Sequence, residues 1–260
     1  VEHVIERNYS HEINQALPFE EQLSELARLF MARLTSLVAH WMRVGYCQGN
    51  FNSDNCAVGG YTLDYGPFGF CELFDPHFQP WTGGGRHFSF FNQPAAAEVN
   101  FHMFCASLKP LLTDHPEALE RLEEVRGGFA EEMTRALDEM WAQKLGLAHL
   151  DLTLLNDLFS LMARTQVDYT LFFRALSELP SEPTALEVSF YQAPSGELRE
   201  AWGAWLERWR AQLQAQGALN EGSQAMKRVN PNVMWREWLI APAYQRAEQG
   251  DIHLVHELQE

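Results

Sequence analysis

Between Gly45 and Phe70 the chain reads GYCQGNFNSDNCAVGGYTLDYGPFGF, and no other stretch limits the possible folds as much. Asp54 and Asn55 come first, a short hydrophobic segment follows, Gly59-Gly60 turns it back, and a second acid arrives at the head of Asp64-Tyr65-Gly66. Short apolar runs on either side of paired glycines predict two strands of a hairpin over Cys56 to Leu63. Such a hairpin aims Asn55 and Asp64 at one point. The residues in front of it add the second constraint. Leu23, Leu26, Phe30, Leu34, Leu37, Trp41 and Val44 recur every three or four positions, which predicts one amphipathic helix from Phe19 to Val44. A rigid helix therefore runs straight into a polar loop.

The order of these parts is that of the metal-holding half of a kinase-like nucleotide site. In protein kinases the Asn that ends the catalytic loop and the Asp of an Asp-Phe-Gly turn hold the magnesium ions bridging the nucleotide phosphates. Asn55 and Asp64 fit those two roles. Laying the loop pattern His-Arg-Asp-x-x-x-x-Asn over Gln48 to Asn55 sets Gln48 on the His, Gly49 on the Arg and Asn50 on the catalytic acid. An amide cannot accept a hydroxyl proton. Asp54 is the carboxylate left in the loop, so a general base there would have to be Asp54.

Asn52-Ser53-Asp54-Asn55, Thr62-Leu63-Asp64-Tyr65-Gly66-Pro67-Phe68-Gly69-Phe70, Asp75-Pro76 and Asn92-Gln93-Pro94 together resemble the selenoprotein O family of kinase-like proteins. The likeness continues through Val167-Asp168-Tyr169-Thr170, Phe172-Phe173-Arg174 and Asn230-Pro231, and so covers most of the chain. Members of that family are described as moving AMP from ATP to protein hydroxyls. The resemblance implies Asp54 as the proton acceptor and Asn55 and Asp64 as ligands of Mg2+ or Mn2+ that also meet the nucleotide. The family loop begins His-Gly and here it begins Gln48-Gly49, so the departure is the glutamine. The resemblance also implies a compartment: mitochondrial in a eukaryote, cytoplasmic in a bacterium. The family's selenocysteine has no counterpart here.

With 260 residues, 46% of them hydrophobic, the chain has material for a sizeable core. Nineteen Lys and Arg against 35 Asp and Glu leave a formal charge of -16, which repels a phosphate backbone and argues against nucleic acid or an anionic membrane as partner. No apolar run approaches the ~20 residues of a membrane span. Val1-Glu2-His3 does not resemble a signal or transit peptide. Cys47, Cys56, Cys71 and Cys105 form no C-x-x-C pair, and reduced, mostly buried thiols are expected.

Val1 to Leu17 reads as a short helical or irregular lead. After the loop, Cys71 to Pro94 is rich in Pro, Gly and aromatics. Its Gly83-Gly84-Gly85-Arg86 lacks the Gly-Lys-Ser/Thr and helix of a phosphate loop and is expected to be a surface turn. Helices are predicted over Ala95 to Leu112, Pro116 to Leu145, Leu152 to Ala163, Asp168 to Leu176, Glu197 to Gln216 and Asn232 to Gln249, with Ser177 to Gly196 as a linker. Trp202, Trp205, Trp209, Trp235 and Trp238 are expected to pack between the terminal helices rather than to cage a ligand. His149 near Asp151, and His253 with His256, lack a third ligand for zinc.

The expected fold is mainly α with a small β-hairpin: a kinase-like lower lobe over residues 1–112 and a helical extension over 113–260. A kinase-like enzyme also needs an upper lobe with a Gly-rich loop, a strand Lys and a Glu to pair with it. None of these can be located in this sequence, so an upper lobe is expected from outside it, or from a second chain. The function expected is part of a protein adenylyltransferase acting on Ser, Thr or Tyr hydroxyls. A protein kinase and a catalytically silent scaffold or assembly subunit are the alternatives.

Overall fold

The computed structural model describes residues 1–219 and 222–259 and is mostly helical, with a two-stranded antiparallel sheet. The chain divides into two compact units. One consists of Val1–Met42, Gln48–Phe68 and Gln79–Met140; the other of Arg43–Cys47, Gly69–Phe78 and the chain from Trp141 onward.

The first unit is built on two early helices, α1 (Glu2–Tyr9) and α2 (Phe19–Val44). The predicted bounds of α2 are those observed. Its apolar stripe buries Leu23, Leu26, Phe30, Leu34, Val38 and Trp41, and a helix presents such a stripe only when these residues share a face. Two aromatic contacts tie it to a helix later in the chain, Phe30 lying 5.9 Å from Phe101 and 4.9 Å from Phe104, and Phe101 in turn stacks on Phe129 at 5.0 Å. Phe101 and Phe104 belong to α3 (Gln93–Leu108), which continues as a 3-10 turn over Lys109–Leu112.

The helix predicted over Pro116 to Leu145 is interrupted. It is two helices, α4 (Pro116–Gly127) and α5 (Phe129–Leu145), and the Gly128 N–H closes the first by donating to the carbonyls of Glu124 and Val125. Two adjacent glycines, each about 1 kcal/mol less favourable than alanine within a helix, make this the cheapest place for the chain to bend.

The second unit carries the sheet, β1 (Tyr46–Cys47) against β2 (Gly69–Phe70), with Tyr46 opposite Phe70 and Cys47 opposite Gly69. These strands bracket residues 48–68 in the sequence, outside the hairpin that was predicted. Within the bracket, Cys56 to Leu63 forms a single bridge, Cys56 to Thr62, instead of two strands. The turn there is tied to the first unit's helices: the Tyr9 hydroxyl donates to the Val58 carbonyl at 2.5 Å and Arg33 to the Gly59 carbonyl at 3.1 Å. The Tyr9 bond takes the Val58 carbonyl, which the predicted hairpin would have used.

Helices α6 (Leu152–Thr165), α7 (Tyr169–Leu176) and α8 (Gly196–Ala215) come next, then α9 (Gly222–Val229), α10 (Glu237–Glu248) and α11 (His253–Gln259). Trp202, Trp205 and Trp209 are fully enclosed on one face of α8. Each indole N–H finds an acceptor, on Thr165 Oγ1 at 2.8 Å, the Leu154 carbonyl at 2.9 Å and the Leu145 carbonyl at 2.9 Å. The expectation of packing fails for the other two: Trp235 is 50% exposed and Trp238 59% exposed. They lie before and in the first turn of α10, off the spacing that aligns the three on α8, and their N–H groups bond to the Leu258 carbonyl and the Glu72 carboxylate.

Nor is Ser177 to Gly196 a free linker. It contains a 3-10 segment over Pro183–Ser189, buries Leu186 and Ser189, and bridges Phe190 to Val167. Pro183 opens that 3-10 segment, and the apolar residues around it still have a core to join. Helix α10 starts at Glu237, five residues after the predicted Asn232.

Asp151 caps α6. Its side chain accepts from the N–H groups of Thr153 and Leu154 and from Gln212. The Leu154 N–H, and after it the Gln212 amide, hold this carboxyl below its ordinary pKa. Asp151→Ala is expected to cost ~1 kcal/mol at neutral pH. A pKa lowered by folding adds stability above the unfolded value, so the difference should shrink as the pH falls through the acid range. Urea unfolding of both proteins at neutral and acid pH measures it.

Candidate functional site

The site residues sit on two segments of the first unit, the loop Gln48–Asn55 and the Asp64–Pro67 turn. Ser53–Asn55 forms one turn of 3-10 helix with Asp54 exposed and Asn55 half-buried. Asn55 Nδ2 donates to the Asn50 carbonyl at 2.9 Å, closing the loop on itself. That bond commits the amide nitrogen, and leaves the amide oxygen as the group able to face a cation. Asn50, which stands where a kinase has its acid, contributes its backbone here and accepts at Oδ1 from Asn52.

Asp64 begins a tight turn in which its Oδ1 accepts the Gly66 N–H at 2.9 Å. A Cβ on Gly66 would lie 3.1 Å from Asp64 Oδ2, so the carboxylate rests against bare backbone. Tyr65 is exposed and meets Phe68 edge to face at 5.6 Å.

Loop and turn are joined at two points. Gln48, buried, donates from Nε2 to the Asp64 carbonyl at 2.5 Å. One residue on, Gly49 has φ +75 and a Cβ there would lie 1.8 Å from the Pro67 carbonyl oxygen. Only glycine fits such an approach. The neighbouring structure holds this junction: Gln93 Oε1 on α3 accepts the Gln48 N–H at 2.9 Å, Asn100 Nδ2 donates to the Phe51 carbonyl at 2.8 Å, and Trp41 Nε1 donates to Thr62 Oγ1 at 2.9 Å. Gln48 and Gly49 looked in the sequence like a departure from a pattern. The positive φ and the buried amide that give them their place are tertiary properties.

Gly49→Ala is expected to destabilise the protein by about 1–3 kcal/mol from backbone strain, plus the displacement of Pro67. Gly196, also at positive φ with open space around its Cβ position, is the control. Gly196→Ala should cost less in the same urea titration, and the excess at Gly49 measures the contact.

Two open clefts adjoin the loop. One, of about 320 Å³, is lined by Phe51, Asn52, Ser53, Phe88, Val99 and Met103 among others; the second, of about 280 Å³, shares Ser53, Asn100 and Met103. Both are largely apolar and reach the residue before Asp54.

The remaining candidates are structural. Gly83–Gly85 is a surface turn in which the Gly84 N–H donates to the Trp81 carbonyl at 3.0 Å. All four cysteines are free, with Cys47, Cys71 and Cys105 buried. Burial pushes the thiols of Cys56, Cys71 and Cys105 up to about 12, which keeps them protonated and unreactive at neutral pH. Among the described residues, no group of three or more His, Cys, Asp or Glu is placed to hold a metal ion, and no helix is long and apolar enough to cross a membrane.

Comparison with known proteins points in one direction. A family model described as protein adenylyltransferase SelO matches residues 1–260. Proteins named protein nucleotidyltransferase YdiU are similar: one from Xanthomonas campestris pv. campestris strain B100 is 37% identical over 239 residues, 88% of this chain and 45% of its own length. A second, from strain 8004, is 36% identical over 252 residues, 93% of this chain and 48% of its own. A third, from Azoarcus sp. strain BH72, is 37% identical over 237 residues, 87% of this chain and 45% of its own. The chain spans about half the length of the curated relatives it matches.

Proposed function

Since the chain belongs to the SelO family of protein adenylyltransferases, we propose that it supplies the lower-lobe part of a protein AMP transferase, with residues 1–112 as the lobe and 113–260 as its helical extension. Family membership supports a nucleotidyl transfer with ATP as substrate and a divalent cation. The finer assignment is ours. Asp54 is the proton acceptor, Asn55 and Asp64 are the ligands of Mg2+ or Mn2+, and the acceptor is a Ser, Thr or Tyr hydroxyl of another protein.

The observation that carries this reading is the joining of loop and turn by Gln48 and Gly49, with Asn55 tied to Asn50. Asn55 and Asp64 each offer a hard oxygen. Magnesium keeps several waters and takes one or two carboxylates plus substrate phosphates, so two protein oxygens suffice. Bound there, a divalent cation would neutralise charge on the nucleotide phosphates. The exposed Asp54 carboxylate is open to a protein side chain. It accepts the hydroxyl proton as the acceptor oxygen attacks the α-phosphorus. The new O–P bond forms while the bond from that phosphorus to the bridging oxygen breaks, and pyrophosphate leaves with the electron pair. The clefts beside Ser53 offer room for residues flanking the acceptor. An upper lobe to cover the nucleotide would come from sequence outside this chain or from a second chain. A bacterial cytoplasm suits the free thiols and the bacterial relatives.

ATP labelled at the α- or the γ-phosphate, incubated with the protein and an extract as acceptor, tests the reading. Protein-bound α label supports AMP transfer. Label from the γ position alone would replace it with phosphoryl transfer, and neither label would leave a silent scaffold.

A further inference from the structure

We propose that Gln48 is a positioning residue that sets the Asp64 carboxylate for its ion, through a buried two-amide relay from α3. The relay starts at Gln93, which is fully buried. Its Nε2 donates to the Phe90 carbonyl at 3.2 Å and contacts Met42 Sδ at 3.7 Å, which orients the amide and turns Oε1 toward Gln48. Oε1 then accepts the Gln48 N–H at 2.9 Å. With its backbone held, Gln48 reaches out through Nε2 to the Asp64 carbonyl. The donor ends on the main chain of the residue whose side chain is the candidate ligand, so it fixes where that carboxylate begins. Asp64 Oδ1 is then oriented by the Gly66 N–H. Position comes from Gln48, direction from Gly66.

Energetics favour this over simple packing. A buried amide left without a partner keeps the full cost of its lost hydration, so the Gln48 and Gln93 side chains strongly prefer the one arrangement that satisfies both. The tether is also neutral. Gln48 stands where the resembling loops begin with His, and an amide donates through its N–H2 at every pH, whereas an imidazole can exchange donor for acceptor by changing tautomer. The site thereby keeps a donor toward Asp64 without a titrating group. Gly49 makes the arrangement possible, since any side chain there would push Pro67, and with it the turn, away from Gln48.

The inference rests on the proposed function only for the purpose the ion serves. Its test measures binding: Mn2+ held together with ATP, followed by the loss of the free-ion paramagnetic resonance signal, on wild type, Gln48→Met and Gln48→His, with melting temperatures recorded in parallel. Methionine keeps the length and removes the donor. Histidine restores an N–H. Gln48→Met is expected to weaken Mn2+ binding about 10-fold or more, the scale on which groups that orient a metal ligand act, and Gln48→His to recover most of the loss. Equal binding in wild type and Gln48→Met, or equal loss in both variants, overturns the proposal, as does a wild type that holds no Mn2+ with ATP. If wild type binds Mn2+ with ATP and Gln48→Met does not, yet no AMP is transferred, the proposed function fails and the positioning role stands. AMP transfer with unchanged binding in Gln48→Met gives the reverse.

Discussion

Asp54→Ala is expected to lower AMP transfer by about 10²–10⁴-fold, the range that a positioned proton acceptor contributes. The side chain is exposed, in a loop whose backbone is held at Asn50 by Asn55 and at Phe51 by Asn100. Its removal should therefore leave the melting temperature and Mn2+ binding with ATP near those of wild type. Initial rates with α-labelled ATP, compared at saturating nucleotide, measure the effect. Transfer undiminished in the variant would move the proton acceptor elsewhere. Loss of metal binding along with the rate would instead make Asp54 a ligand.

The second large effect lies away from the site. Arg236 reaches Asp168 through both terminal nitrogens, at 2.6 and 2.7 Å, with Arg236 9% and Asp168 4% exposed. Asp168 also caps α7 by accepting the Leu171 N–H at 2.9 Å. Arg236→Met is expected to cost about 3–5 kcal/mol, because it leaves a buried carboxylate without its partner. Combining it with Asp168→Asn, which keeps the cap but removes the charge, should recover a good part of that loss. Urea unfolding of the two single variants and the double variant closes the cycle. Arg236→Met behaving like a surface change would show that water reaches the pair.

Residues of this kind separate what could be read in advance from what could not. Helix α2 was legible to its ends because its apolar spacing repeats for 26 residues, and each repeat reinforces the same face. The tryptophans of α8 were legible for the same reason. Trp235 and Trp238 were not, because two aromatics near a helix start fit a core or a surface equally well, and neighbours decide between them. The division at Gly127-Gly128 was visible as two glycines. That they would break the helix, and not merely weaken it, depended on the Glu124 and Val125 carbonyls capturing the Gly128 N–H.

In the candidate site, the acids and amides stood out in the sequence: Asp54, Asn55 and Asp64 are polar residues in a glycine-marked loop, and their order alone pointed toward a kinase-like nucleotide site. Gln48 stood out only as a departure from the His of the loop pattern, and its role shows only once its donor is seen to end on the Asp64 carbonyl. The predicted hairpin shrank to one bridge for a related reason. Tyr9, distant along the chain, took over the Val58 carbonyl that local pairing would have used, and Arg33 holds the turn at Gly59.

By itself, then, the sequence determined the family, the mainly helical class, the long helix leading into the loop and the identity of the polar side chains. Periodicity and short motifs are local, and they survive any arrangement of the rest. Only the tertiary structure decided that Gln48 and Gly49 join the loop to the Asp64 turn, that Arg236 seals Asp168, and which tryptophans see water. Each of those depends on a backbone approach or a buried partner between residues far apart in the chain, and the free energy of such a contact exists only once both sides have been brought together.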